Sequence, residues 1–325
     1  MAKIVLTTAI TILISIQLLG QGKQLPYESK MADLGEIQMQ YMDFGGEGIP
    51  VIWVQDFHNY FEGPYEDSKT VNYIAEISKH TRLLAPLRRG YGKSTDTQWG
   101  YDVARQAEDL LDFMDALNLD KAILMGRQPA NQDMTWIAEH HPERLSGLIY
   151  WGGDPILIVG CSYSDELLLM ENWSAMAPDF KKEKEKRVVM SRAFWRPDFL
   201  KDTSSRIDIP AIRILNTTFS NSSVIRRLSE PQRMQSLINR DMPGFEDELF
   251  ALRKLGKDSL RMKKLRDHLL ECDPTKALST GMERTFGNKL KTVEKTSALS
   301  TEREYEEFMQ WEILETIKFI EEIKN

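Results

Sequence analysis

Residues 126–131 read GRQPAN, set between the apolar run KAILM and the helix-like stretch DMTWIAEHHPERL. A strand, a tight turn and a helix in that order lift the side chain at the turn out of the sheet, where it can be exposed and activated as a nucleophile. The usual turn is Gly-x-Ser-x-Gly. Here Gln128 holds the centre and Pro129 follows it. A carboxamide is not a usable nucleophile at neutral pH, because a neighbouring base cannot activate it as it activates a hydroxyl. Pro129 has no backbone N–H, so it cannot donate to a developing oxyanion. One such donor is worth roughly 3–4 kcal/mol of transition-state stabilisation. Gly126 is retained, and Ala130 and Asn131 fill the next positions.

Other residue types that do chemistry are sparse. The histidines are His58, His80, His140, His141 and His268. His140 and His141 end the helix after the turn and read as surface residues, which leaves His58 as the one placed to line a cleft. Cys161 and Ser162, in IVGCSYSD, are candidate nucleophiles for relocated chemistry, with ordinary packing as the plain alternative. RRGYGKS holds Gly90, Gly92, Lys93 and Ser94 but lacks the Walker spacing, so no nucleotide is expected. No Cys/His cluster has zinc spacing, and no cofactor is expected. KKEKEKR at 181–187 is mixed charge and reads as a solvated helix face. Cys161 and Cys272 leave both a disulfide and two isolated thiols open.

The chain has 325 residues, 42% hydrophobic and 28% charged, which is ordinary for a globular protein. A net charge of −7 argues against a general nucleic-acid grip. The first residues carry one cation, Lys3, then a mostly apolar stretch from Ile4 to Leu19, then Gly20-Gln21-Gly22. That layout predicts a signal peptide over 1–21 and a secreted or periplasmic protein with no stable membrane span when mature. The alternative is an uncleaved leader acting as an anchor, for which the apolar stretch is short.

Positioning elements follow from hydrophobic periodicity. EIQMQYMDF alternates and turns at Gly45-Gly46. IPVIWVQDF, TRLLAP, KAILMG, LSGLIYWGG and IDIPAIRILN are short apolar runs of the kind buried on both faces of a parallel sheet. Between them SKTVNYIAEISKH, YDVARQAEDLLDFMDALNL and PANQDMTWIAEHH read as helices, the last with Pro129 in its first turn. On the second, Val103, Ala107, Leu110, Leu111, Met114 and Leu117 share a face. LKTVEK is a candidate last strand. EREYEEFMQWEILETIKFIEEIKN is a closing helix expected to turn Phe308, Trp311, Leu314, Ile317 and Ile320 to the core. This alternation predicts an α/β class.

In this order the segments resemble the α/β-hydrolase superfamily, the esterase, lipase and epoxide-hydrolase-like group, best over about residues 39–153. VIWVQDFHN sits where that family has a strand leading into His-Gly, and LLAPLRRGYGKS is similar to its strand and Arg-Gly-x-Gly-x-Ser loop. The resemblance implies a mostly parallel sheet flanked by helices. It implies a core over 22–153 and 206–325, a helical cap at 154–205, and a long helical insert at about 217–287. It makes Gln128 the nucleophile position and Gln55, Asp56 and Pro129 the oxyanion-region positions. Ser300, in the histidine-free TSALSTEREY, takes the place of the base. The acid would follow AIRIL, where NTTFSNSS offers no carboxylate; Asp154, one strand earlier, reads as a cap or turn residue. A pocket under the cap would be lined by Phe57, His58, Gln128, Trp173 and Trp195. Nucleophile, base and one oxyanion donor are all missing from their places. The expectation is a non-catalytic relative that binds a small apolar ligand, or a protein partner through a cap carrying Trp173, Met176, Phe194 and Trp195. The alternative is an active hydrolase of ester or acyl substrates using Cys161 or Ser162 with His58.

Overall fold

The computed structural model describes residues 26–55, 68–97, 99–127, 130–151, 207–216, 230–239, 253–254, 256–271 and 286–324. The leader, the cap region at 154–205 and much of 217–287 lie outside them, as do both cysteines.

The strands are β1 (Glu28–Asp33), β2 (Gln38–Asp43), β3 (Pro50–Val54), β4 (Arg82–Pro86), β5 (Ala122–Arg127), β6 (Leu145–Trp151), β7 (Ala211–Asn216) and β8 (Leu290–Lys295). They form one eight-stranded sheet in the order β1-β2-β4-β3-β5-β6-β7-β8. β1, β2 and β4 pair antiparallel, and all pairings from β4 to β8 are parallel. The helices are α1 (Ser68–Ile77), α2 (Val103–Ala116), α3 (Asn131–His140), α4 (Pro231–Ile238), α5 (Ser259–Glu271) and α6 (Glu302–Lys324).

Strand side chains alternate between two cores, as a period of two requires. Val51, Trp53, Ile123, Met125, Ile149 and Trp151 pack with Val71 and Ile74 of α1 and Met309, Ile313 and Ile320 of α6. Their sequence neighbours Ile52, Val54, Leu124, Leu148 and Tyr150 face the other side, against Ala107, Leu110 and Met114 of α2 and Met134 and Ile137 of α3. Helices on both faces explain why the central strands read as unbroken apolar runs.

Three expectations are corrected. β1 was not anticipated, because ESKMAD is polar; it is an edge strand paired along its whole length with β2. β2 does not alternate in burial, since Met39 to Asp43 are all buried. Its polar members are satisfied there: Gln40 donates to Ser29 Oγ (2.8 Å) and accepts from the Lys93 N–H (2.6 Å), and Asp43 accepts from Lys30 (2.8 Å). On α6, Leu314 is 50% exposed, and the buried face is Phe308, Met309, Glu312, Ile313, Thr316, Phe319 and Ile320. A strict three-residue spacing drifts around a helix of 3.6 residues per turn, whereas the i, i+3, i+4 rows stay on one face.

The turn after β2 needs its glycine: Gly46 has φ +84°, and a Cβ there would lie 1.9 Å from the Thr81 carbonyl oxygen. α2 starts on Asp102, whose carboxylate accepts from the Arg105 N–H at 3.0 Å. No helix among the described residues is long and apolar enough to cross a membrane.

Candidate functional site

In an open parallel sheet the reactive edge is the one where the strands end. Here that edge gathers Gln55 after β3, Arg88 after β4, Arg127 closing β5, Trp151 closing β6, Asn216 closing β7 and the 296–301 loop after β8. Of the strand–turn–helix expected at GRQPAN, the structure describes the strand, β5, and the helix, α3. Gly126 lies at a close approach of helix and strand: a Cβ would lie 2.8 Å from Met134 Sδ, the movable end of that side chain, and 3.2 Å from the Val54 carbonyl oxygen, so any larger residue must displace its neighbours. Gln128 and Pro129 lie outside the described residues, and α3 is described from Asn131, with Ala130 as its N-cap. Asp56, Phe57, His58, Asp154, Cys161, Ser162, Trp173 and Trp195 also lie outside them.

Gln55 is buried and turned inward, its side-chain amide donating to the carbonyls of Ala85 and Pro86, both at 3.1 Å. Its own carbonyl accepts from Arg88 Nε at 2.7 Å. Arg88 also donates to the Gln106 side chain, and its Nη2 lies 2.5 Å from Asp133 Oδ2. One guanidinium thus ties the end of β3, helix α2 and the first turn of α3. Asp133 is fully buried, and desolvation pushes its carboxyl up to about 6 although Arg88 pulls the other way. Its place in the first turn of α3 puts a carboxylate at the positive end of the helix dipole, where an oxyanion would otherwise find its field. A cavity of about 10 Å³, room for a single water, sits beside this network, bounded by Val54, Gln55, Leu87, Arg88 and Gln106.

On the other side of β5, Arg127 Nη2 donates to Glu312 of α6 at 2.9 Å and lies over the Trp151 ring. Burial raises the Glu312 carboxyl against the pull of Arg127. Trp151 packs edge-on against Trp53 and donates from Nε1 to Thr316 at 2.8 Å. The strand leading to the turn is therefore bolted to the C-terminal helix.

Where the resemblance places acid and base, the structure shows a different bond. Asn216 donates from Nδ2 to the Ser297 carbonyl (2.9 Å) and accepts the Ser297 N–H (3.2 Å). This two-point clasp joins the ends of β7 and β8 with a neutral amide. Ser300 is exposed, and its N–H and hydroxyl both donate to Glu304, at 2.8 and 2.7 Å. With Thr301 accepting the Glu304 N–H at 3.1 Å, Ser300 belongs to the start of α6. His140 is exposed and stacked on Trp136, 4.1 Å between ring centres, at the far end of α3 from the turn.

The RRGYGKS loop spends its donors on the protein itself. The N–H groups of Gly90, Tyr91, Lys93 and Ser94 go to Thr95, Arg88, Gln40 and Tyr91. Arg89, fully buried, makes a two-pronged pair with Asp109 at 2.6 and 2.7 Å. Sequence reasoning passed over Arg88, Asp133, Arg127, Glu312 and Asn216. One signal was readable: Glu312 falls in the i, i+3, i+4 pattern of the α6 apolar face, and a carboxylate there needs a buried cation.

No family model matches the chain. Among solved structures, epoxide hydrolase VrEH1 from Vigna radiata superposes over 90% of this chain and 98% of its own, with a TM-score of 0.52 and 13% identity. A mutant of the Vigna radiata epoxide hydrolase gives 0.53 over 91% and 99%, again at 13% identity. The chain has the α/β-hydrolase fold. A curated relative, 2-hydroxy-6-oxo-6-(2'-aminophenyl)hexa-2,4-dienoic acid hydrolase from Metapseudomonas resinovorans, is 23% identical over 141 residues, 43% of this chain. That alignment spans about half the relative's length, 47%.

Proposed function

We propose that this is an exported α/β-hydrolase-fold protein of esterase-like ancestry that no longer hydrolyses, and whose pocket between core and cap binds a small apolar ligand or whose cap engages a protein partner. Ancestry is supported by the fold and by the hydrolase among its relatives. Loss of catalysis rests above all on one observation: the junction between β5 and α3 carries Gln128-Pro129, a side chain that cannot attack and a backbone that cannot donate. The Asn216–Ser297 clasp and the helix-starting role of Ser300 support the same reading from the opposite side of the site. Both find structural work for positions that a triad would need.

The reading is tested on purified protein with an environment-sensitive apolar dye and a panel of acyl esters. Saturable dye binding with no ester turnover is the expected result. Hydrolysis of short acyl esters that disappears in Gln128→Ala would overturn it.

A further inference from the structure

β1 stands at one edge of the sheet, and among the described residues no strand pairs with its outer side. It runs its whole length against β2 without a bulge, holds no proline, and leaves Glu28, Ser29, Met31 and Asp33 exposed. Proteins ordinarily blunt such an edge with lysine, proline, a bulge or a covering segment. The lysine of β1 does not serve that end: Lys30 is held by Asp43 at 2.8 Å and by Glu28 at 3.0 Å. Met31, 46% exposed, is a large apolar side chain on this open edge.

We propose that a second copy of this chain docks here, its own β1 antiparallel to the first about a two-fold axis through Met31, so that one sheet runs through both copies. Under such an axis, side chains opposite each other lie on the same face of the sheet, so the pairing must centre on a residue. Centring on Lys30 sets two lysines against each other, and centring nearer either end leaves half or more of each strand unpaired. Centring on Met31 pairs Ser29 to Asp33 of each copy and closes the two Met31 side chains on one another. It also sets Ser29 opposite Asp33 of the second copy. Ser29 Oγ accepts from Gln40 Nε2 at 2.8 Å, which keeps its hydrogen for donation. Asp33 accepts the Gly35 N–H through Oδ1 at 2.9 Å, which keeps Oδ2 to receive it. Symmetry makes this bond twice, and Lys30 falls opposite Ala32. The other edge strand, β8, has no such register: centring on Val293 opposes Lys291 and Lys295, and centring on Thr292 opposes Leu290 and Glu294. The inference is independent of whether the site turns over substrate.

The test is sedimentation velocity of the full chain from about 1 to 500 µM, since one short strand from each copy is a small interface and should exchange with concentration. Monomer should give way to dimer across that range. Met31→Lys, which puts like charges at the centre, should raise the dimer midpoint about tenfold or more with the thermal midpoint unchanged. Register is read by cross-linking in a Cys161→Ser/Cys272→Ser background. Met31→Cys should form a disulfide-linked dimer on mild oxidation, and Ser29→Cys should not, because Ser29 faces Asp33 and not itself. A mass that stays monomeric throughout would overturn the proposal. So would Met31→Lys associating as tightly as the natural chain, which would place the contact elsewhere, or Ser29→Cys cross-linking as readily as Met31→Cys.

Discussion

At the scale of single residues, the buried ion pair of Arg88 and Asp133, in the first turn of α3, decides most. Arg88 is held by Gln55, Gln106 and Asp133, so Arg88→Met strands a fully buried carboxylate. Losing one partner of such a pair costs about 3–5 kcal/mol, and urea unfolding should show a loss of that order. The pH dependence follows from Asp133, lifted by burial to about 6 from an ordinary 3.8. The folded protein holds this proton more tightly than the unfolded chain does. Its contribution to stability is therefore complete below about pH 4 and is lost as pH rises through 6. Compared with Asp133→Asn, the natural protein should lose about 3 kcal/mol over that window and run parallel above it; parallel curves throughout would place the proton elsewhere. These side chains were hard to read beforehand. RRGYGKS drew attention for its glycines, and nothing in the order of residues says that Arg88 meets a carboxylate 45 positions later. Glu312 was missed with the rotation of α6: once that helix is turned to its observed face, a carboxylate in the apolar row calls for a partner, which Arg127 supplies.

At the scale of elements, the sequence was most legible where burial on both faces leaves a plain pattern. The apolar runs at 50–54, 82–86, 122–127, 145–151 and 211–216 are the parallel strands, and LKTVEK is the last of them. The polar β1 was not legible, because an edge strand takes its order from the neighbour it pairs with. Nor was the rotation of α6, which a spacing of three misplaces. Two substitutions test that rotation. Ile313→Ala should cost about 2–5 kcal/mol, while Leu314→Ala, on the exposed side, should stay within about 0.5 kcal/mol. The junction of β5 and α3 offers another test. Gly126→Ala must push on Met134 and the Val54 carbonyl, and should cost about 1–3 kcal/mol in thermal or urea unfolding.

At the scale of the whole molecule, the fold does not by itself set the activity. An eight-stranded, mostly parallel sheet with helices on both faces is shared with an epoxide hydrolase over nine-tenths of the chain, at 13% identity. Reactivity depends instead on a few side chains at one edge of that sheet. There Gln128 and Pro129 occupy the turn by sequence, an amide clasp joins β7 to β8, and Arg88 and Asp133 fill the base of α3. Export is a separate proposal. N-terminal sequencing of protein recovered from outside the cytoplasm should begin near Gly22, and an intact Met1 there would replace cleavage with a retained leader. The central claim, that this hydrolase fold has lost its reaction, is tested most directly by offering the purified protein a panel of chromogenic acyl esters, thioesters and epoxides, with Gln128→Ser/Pro129→Met alongside. The account predicts no turnover above buffer by the natural protein. Turnover that persists through repurification would contradict it, and Cys161, Ser162 and His58 would then be the residues to change.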